Sequence, residues 1–383
     1  RITSNAGAEE HKSAVSPINC LGGDTPVLTR RGIVPISQLA GHDVEVLNGN
    51  GRWVTVPFKS FGVQDTYQIT LRWGDNKSTK STVWATKDHR WFLEDGRVVT
   101  TEFWLTGGYN NKTRTLPHLF VPQEPHNPEQ FNSGFIHGLV YGDGSRSWGD
   151  SFHLNLCGKK RELAQMVMEI TDVIPNIYND DWRFTLKSFV DYKALPFTMD
   201  QNYIKGFIYG VLATDGTVAS NGDGCGICLY GGEELVQYME QYAPYAGIIP
   251  TYHRLMGARG EITNYGTRNR DVWVIGIQPS TIEEQYLFRT SQRKVYVRTP
   301  NGERSKNIWR VESINPTPVQ QEVFCCHEPE TTSFAIFNGM KTGQCLVAKT
   351  VPDSMSGILE SVRDAGISLK AGCGIGYCFS TIR

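Results

Sequence analysis

The chain changes its hydrophobic period twice, and that double change constrains its fold more than any other feature. Residues 21 to about 115 read as short strands: Pro26-Val27-Leu28-Thr29, Val44-Glu45-Val46-Leu47, Thr66-Tyr67-Gln68-Ile69-Thr70 and Ser81-Thr82-Val83-Trp84-Ala85-Thr86 are apolar or alternating, with turn formers such as Asn48-Gly49-Asn50-Gly51 between them. From about residue 124 the period becomes helical, in 135–141, 161–171 and 203–213, mixed with the strand-like run Val272-Trp273-Val274-Ile275-Gly276-Ile277. Strands resume at Ile308-Trp309-Arg310-Val311, Glu322-Val323-Phe324-Cys325 and Ser333-Phe334-Ala335-Ile336-Phe337, the last leading into a turn at Asn338-Gly339. The expected fold is therefore mixed, an all-β domain split by an inserted α+β domain. The length of 383 residues, more than one ordinary core holds, agrees with this.

Charge and cysteine content narrow the function classes. Lys plus Arg number 38 against 39 for Asp plus Glu, so no whole-chain field draws in nucleic acid and any such binding must use a local patch. There is no run of eighteen apolar residues and no signal-peptide pattern, so no membrane partner and a cytoplasmic location are expected. Nine cysteines without regular spacing point to reduced thiols, some of them chemically used. Cys225-Gly226-Ile227-Cys228, a lone C-x-x-C with no second pair, reads as packing cysteines.

Two cysteines sit at a frame that closes. Cys20 follows Ile18-Asn19 and Cys345 precedes Leu346-Val347, so removing residues 20–344 would join Asn19 to Cys345. Around them stand four ordered blocks: Cys20-Leu21-Gly22-Gly23-Asp24-Thr25-Pro26 onward, Thr86-Lys87-Asp88-His89, Val323-Phe324-Cys325-Cys326 through Thr332-Ser333-Phe334, and Asn338-Gly339 to Gln344-Cys345. Together these resemble the blocks of inteins, which share the Hint fold with hedgehog autoprocessing domains, over residues 20–344.

The resemblance implies protein splicing, and the residue types suit it. A thiol held beside its own preceding carbonyl can attack it, proximity making a slow peptide rearrangement feasible. Cys20 would take up the Asn19 carbonyl as a thioester, Thr86 and His89 would polarise that carbonyl and protonate the leaving amine, and Cys345 would capture the acyl group by thioester exchange. Gln344 would then cyclise through its side-chain amide and cut the last peptide bond, leaving an ordinary Asn19–Cys345 peptide after a sulfur-to-nitrogen shift. Splicing itself needs no cofactor. The chain departs from the family at two places: it ends Gly343-Gln344 where most inteins end His-Asn, and it carries Thr332 where a His is usual. A slow C-terminal step is expected, with His327 or Cys325 as substitutes for the absent proton donors.

The middle of the chain carries an internal repeat. Phe135-Ile136-His137-Gly138-Leu139-Val140-Tyr141-Gly142-Asp143-Gly144 and Phe207-Ile208-Tyr209-Gly210-Val211-Leu212-Ala213-Thr214-Asp215-Gly216 are alike, each an apolar helix running into Asp-Gly. Both are similar to the LAGLIDADG motif of homing endonucleases of the DOD type. Gly138, Gly142, Gly210 and Ala213 would let two helix backbones approach, and Gly144 and Gly216 would end each helix in the left-handed conformation. Asp143 and Asp215 sit at the negative end of their helix dipoles, a cost that a bound cation offsets, and the resemblance implies Mg²⁺-dependent cleavage of double-stranded DNA at the insert-free allele of the host. Lys193, in Lys193-Ala194-Leu195-Pro196, matches a Lys-x-Ile-Pro block of the family and would orient water or neutralise charge. Arg254, Arg259, Arg268 and Arg270, interleaved with Tyr252 and Tyr265, form the best local stretch for phosphate contact.

The flanks, with Asp353-Ser354-Met355-Ser356-Gly357-Ile358 and Gly372-Cys373-Gly374-Ile375-Gly376, resemble the start of a ribonucleotide reductase barrel, closest to the adenosylcobalamin-dependent class. That implies adenosylcobalamin for the host only, with Cys345 as one of its redox cysteines. The expected organisation is residues 1–19 flank, 20–120 first Hint part, 121–296 endonuclease, 297–344 second Hint part and 345–383 flank, the insert being monomeric. Two alternatives are that the chain acts as a reductase itself, or that it is a splicing-dead, DNA-binding remnant.

Overall fold

The computed structural model describes residues 19–73, 80–179, 181–220, 225–263, 266–298, 308–344 and 353–370. Cys345, Tyr265, residues 1–18 and the loop 372–376 lie outside the described residues. The chain divides into two compact units, one taking in residues 1–71, 81–119 and 308–383, the other residues 72–80 and 120–307.

The first unit is built on an antiparallel sheet of eleven strands among the described residues. Its main path runs Val319–Cys326, Leu21–Gly22, Lys80–Thr86, Trp53–Trp73, Asp43–Leu47, Pro26–Thr29, Ser333–Ile336, Met340–Gly343. Val27, Leu28, Val46, Leu47, Ile69, Val83, Ala85, Phe334 and Ile336 are buried in its core, and adjacent pairs such as Val27-Leu28 and Val46-Leu47 are buried together, so both faces of the sheet are covered there. The strand Trp53–Trp73 runs unbroken for 21 residues, well beyond the Thr66-to-Thr70 segment that the sequence pattern marks. Within its added part, residues 59–65 mix polar and apolar side chains and are largely exposed, so they lack an alternation signal. It is held instead by cross-strand pairing to residues 319–326, from Val319↔Thr66 to Cys326↔Phe58. The two-residue strand Leu21–Gly22 is wedged between neighbours, with Leu21 opposite both Phe324 and Ala85. That register sets Cys20 beside Thr86 on one side and beside Val323 and Cys325 on the other.

The second unit has a duplicated plan. Two helices, Pro128–Asp143 and Gln201–Asp215, are N-capped by the Asn127 and Asp200 side chains, and each passes straight into the edge strand of a four-stranded antiparallel sheet. One sheet runs Gly144–Arg146, Ser151–Leu156, Asp181–Lys187, Asn176–Tyr178; the other runs Gly216–Ser220, Cys225–Gly231, Val272–Ile277, Pro250–Gly257. The helices cross backbone to backbone. A Cβ on Gly138 would lie 2.2 Å from the Phe207 carbonyl oxygen and 2.9 Å from the Gly210 Cα, and one on Gly210 would meet the Phe135 carbonyl oxygen at 2.4 Å. Gly134 and Gly206, unmarked in the sequence reading, are packed as tightly against Tyr203 and Phe131 main chain.

One expectation is corrected. Gly144 (φ −96°) and Gly216 (φ −103°) are extended, not left-handed. Each helix does not turn back at its glycine; the chain continues directly into a strand. Glycine is needed there for space, since a Cβ would sit 2.5 Å from the Val140 carbonyl oxygen at residue 144 and 2.4 Å from the Leu212 carbonyl oxygen at residue 216.

Candidate functional site

In the first unit, Cys20 and Gln344 lie in one buried polar pocket. The Thr86 hydroxyl oxygen accepts a hydrogen bond from the Cys20 N–H at 3.1 Å, and the Thr86 N–H donates to the Cys20 carbonyl at 3.1 Å. Thr86 therefore touches the amine that would leave. The tight turn Thr86-Lys87-Asp88-His89, closed by His89 N–H to Thr86 carbonyl at 3.1 Å, brings His89 in behind it. His89 is fully buried, and its Nε2 is 2.7 Å from the Thr342 hydroxyl. Burial first, and the Arg90 charge second, pull its pKa down to about 3, against the pull of the nearby Asn19 and Cys20 main chain. His89 is thus neutral at physiological pH.

The Gln344 side chain is fixed at both ends. The Glu328 N–H donates to its Oε1, its Nε2 donates to the Glu328 carbonyl, and the Cys326 thiol lies 3.7 Å from Oε1. The buried Glu328 carboxylate in turn accepts from the Glu330 N–H at 2.9 Å, and from the Thr331 N–H and hydroxyl at 2.8 and 2.6 Å, which shapes the turn that presents its main chain to Gln344. The Gln344 carbonyl oxygen accepts from Arg90 Nη2 at 3.0 Å and from Asn19 Nδ2 at 2.6 Å. The Asn19 Oδ1 accepts from the Arg90 N–H at 2.8 Å, which fixes which way the amide faces.

The three auxiliary residues lie in different surroundings. Cys325 packs against Cys20 and Val323, while its neighbour Cys326 is the thiol near Gln344. His327 is half-buried, its pKa lowered by burial, and its N–H bonds to the Pro57 carbonyl. Thr332, at φ +54°, offers Gln344 only its carbonyl, at 3.3 Å. The sequence reading missed Arg90, Thr342, Glu328 and Cys326. Arg90 carried the only local signal, as a basic residue next to a block histidine.

In the second unit, Asp143 and Asp215 end the two crossing helices side by side. Burial first and the Asp143 charge second raise the pKa of Asp215. A Cβ on Gly142 would lie 3.1 Å from Asp215 Oδ2, which shows how near the two helix ends come. Lys160, absent from the sequence reading, lies 2.7 and 2.5 Å from the two Asp143 oxygens. Lys193 caps the end of the first helix, donating to the Val140 carbonyl at 3.2 Å and to the Tyr141 carbonyl; burial lowers its pKa against the pull of Asp215 and Asp143. His137 anchors the Lys193 loop, its Nε2 2.8 Å from the Ala194 carbonyl and its Nδ1 2.9 Å from the Tyr203 hydroxyl.

Two like charges forced together at helix C-termini fit a divalent cation, whose oxygen-rich shell would be completed by main-chain, water or phosphate oxygens. Among the described residues no group of three or more His, Cys, Asp or Glu side chains assembles, so this carboxylate pair is the extent of the charged donor set. The basic stretch is divided: Arg254 is exposed on a sheet strand, Arg268 is paired with Glu261 at 3.0 Å, the Arg259 N–H bonds to Asp271, and the charge of exposed Arg270 reaches Asp215 and Lys193. Cys225 is buried and the Cys228 thiol lies 3.3 Å from the Tyr252 hydroxyl.

No family model and no curated protein matches the chain. Among solved structures it is similar to a mutant of the Ssp DnaB mini-intein variant M86, at 12% identity over 85% of this chain and 99% of that one, with a TM-score of 0.27. It is similar to mesophilic variants of the homing endonuclease I-DmoI, at 12% identity over 46% of this chain and 99% of that one, TM-score 0.26. A further I-DmoI structure, in complex with its target DNA in the presence of manganese, matches at 13% identity over 45% of this chain and 94% of that one, TM-score 0.25. At such low scores these likenesses carry no weight in the functional reading.

Proposed function

We propose that residues 20–344 are a self-excising intein of the Hint type that carries a LAGLIDADG homing endonuclease, lodged in a ribonucleotide reductase. The observation that carries this reading is the pocket in which both ends of the insert meet: the Asn19 side chain and the Gln344 carbonyl, 325 positions apart, are hydrogen-bonded at 2.6 Å. Cys20 Sγ attacks the Asn19 carbonyl, the leaving Cys20 amine rests on the Thr86 hydroxyl, and neutral His89 is the group that moves the proton. Cys345 accepts the acyl group, Gln344 cyclises, and the flanks join; the host's adenosylcobalamin chemistry follows only after joining.

For the second unit, Asp143 and Asp215 are the groups that would hold Mg²⁺, which when bound activates water and stabilises the leaving oxygen of a phosphodiester. Lys193 and Lys160 neutralise charge beside the two carboxylates, and Arg254 and Arg270 meet the phosphates of double-stranded DNA in the cytoplasm.

The test is to express the full chain and weigh the products. Joined flanks and a free 20–344 fragment are expected, and Cys20→Ala abolishes both. A full-length protein that never yields joined flanks removes splicing from the reading. Cleavage of the insert-free host sequence in Mg²⁺, and sparing of the insert-bearing one, tests the nuclease separately.

A further inference from the structure

Asn19 belongs to the sequence left behind after excision, yet its side chain is built into the insert. We infer that the Asn19 side-chain amide is a catalytic group of the C-terminal step: with Arg90 it forms the pocket that holds the Gln344 carbonyl oxygen as the imide closes. The inference rests on the excision reading above.

The geometry is specific to that oxygen. Asn19 Nδ2 donates to it at 2.6 Å and Arg90 Nη2 at 3.0 Å, and the same Asn19 amide accepts the Arg90 N–H through Oδ1 at 2.8 Å. The oxygen, both donors and the amide that would attack are buried: Gln344 is 0% exposed, Asn19 5% and Arg90 9%. Gly343 leaves room for this arrangement, since a Cβ there would meet the Arg90 carbonyl oxygen at 2.6 Å and the Arg90 Cβ at 3.0 Å. A side chain at 343 and Arg90 in its present position exclude each other.

The chemistry requires such a pocket. When Gln344 Nε2 attacks its own carbonyl carbon, one carbon–nitrogen bond forms and the bond to the Cys345 nitrogen breaks. Nε2 loses one proton, the Cys345 amine gains one, and no oxidant or other reactant is needed. Between these events the carbonyl oxygen carries negative charge. Preorganised donors aimed at that charge, one of them cationic, lower the barrier in a site that excludes water. Transfer of the Asn19 acyl group to Cys345 does not remove the donor, because Cys345 directly follows Gln344 and keeps Asn19 tethered within reach. The residue preceding the insertion point is thereby part of the excision machinery, which restricts the host positions from which this insert leaves.

The experiment uses the full chain in two backgrounds. In Cys20→Ala, which cannot form the thioester, release of residues 345–383 is followed by mass spectrometry. Adding Asn19→Ala slows that release at least about tenfold, toward the 10²–10³ typical of losing one such donor, and Asn19→Asp slows it at least as much. In Gln344→Ala, which cannot cyclise, hydroxylamine releases residues 1–19 from the thioester, and Asn19→Ala slows that release several-fold less than it slows release of residues 345–383. Unchanged C-terminal release in Asn19→Ala overturns the inference. Equal slowing of both reactions also overturns it, since it assigns Asn19 a structural part only. A Cys20→Ala parent that never cleaves after Gln344, while hydroxylamine still works in Gln344→Ala, overturns it too. If neither parent reacts, the excision reading itself has failed.

Discussion

The pocket around Cys20 and Gln344 and the carboxylate pair at Asp143 and Asp215 solve opposite problems. In the first, Cys20, His89, Thr342 and Gln344 are completely shielded from water, with polar partners supplied from within. In the second, two acids are brought together at helix ends, partly open, against two lysines. An intramolecular reaction can be enclosed because its substrate is already inside. On the function proposed above, a site for an external polyanion and a cation keeps its charged groups at a surface, where Lys160 and Lys193 stand against the two carboxylates until those ligands bind.

The contrast can be broken at several points. Asp143→Asn should abolish DNA cleavage, a loss of at least about 10³-fold if the cation contributes several kcal/mol, while leaving the yield of joined flanks unchanged. A variant that still cuts would remove the carboxylate pair from the chemistry. Gly138→Leu should unfold the second unit, since its Cβ would overlap the Phe207 main chain; overpacking costs about 1–3 kcal/mol where neighbours can yield, and backbone cannot. Hydrogen exchange that collapses in residues 120–307 and persists in the sheet strands of the first unit is the expected pattern.

The two sites should also respond to pH with opposite signs. His89 takes up a proton at about 6.5 when unfolded and only at about 3 when folded, so the unfolded chain binds more protons between those values. The first unit therefore loses stability as pH falls from 6.5 toward 3, at up to about 1.4 kcal/mol per pH unit, and His89→Gln should flatten that slope in urea titrations. Asp215 is shifted the other way, its folded pKa raised above the usual 3.8, so its contribution is present at low pH and lost as pH rises through the folded value. The smallest effect follows: without divalent cations at neutral pH, Asp215→Asn should raise the melting temperature of the second unit. A lowered one would mean that the carboxylate is not held at a cost.

The parts of this molecule that were legible in sequence are local ones. The paired Asp-Gly helix ends, the Thr86-to-His89 turn and the glycines of the helix crossing follow from spacing and residue type. The partners were not legible, because they arrive through contacts between segments far apart in the chain. Arg90 meets Gln344 across 254 positions and Asn19 meets it across 325, and nothing in either segment names the other. Lys160 is only 17 residues from Asp143, yet it lies in a short 3₁₀ turn outside any motif. The exposed stretch 59–65 of the strand Trp53–Trp73 was missed because its partner strand, not its own pattern, makes it extended. The glycines after each aspartate were read for backbone freedom, whereas crowding against their own helix is what requires them.

The wedged strand Leu21–Gly22 has one more consequence. Because Cys20, which leads into it, follows directly on Asn19, whose side chain bonds to the Gln344 carbonyl, residues 20 and 344 are already close, and joining them into a ring would cost little loop entropy. Circular permutants sealed at this junction and opened at an exposed surface turn, such as the one at Asn50-Gly51, should therefore trace the same fold.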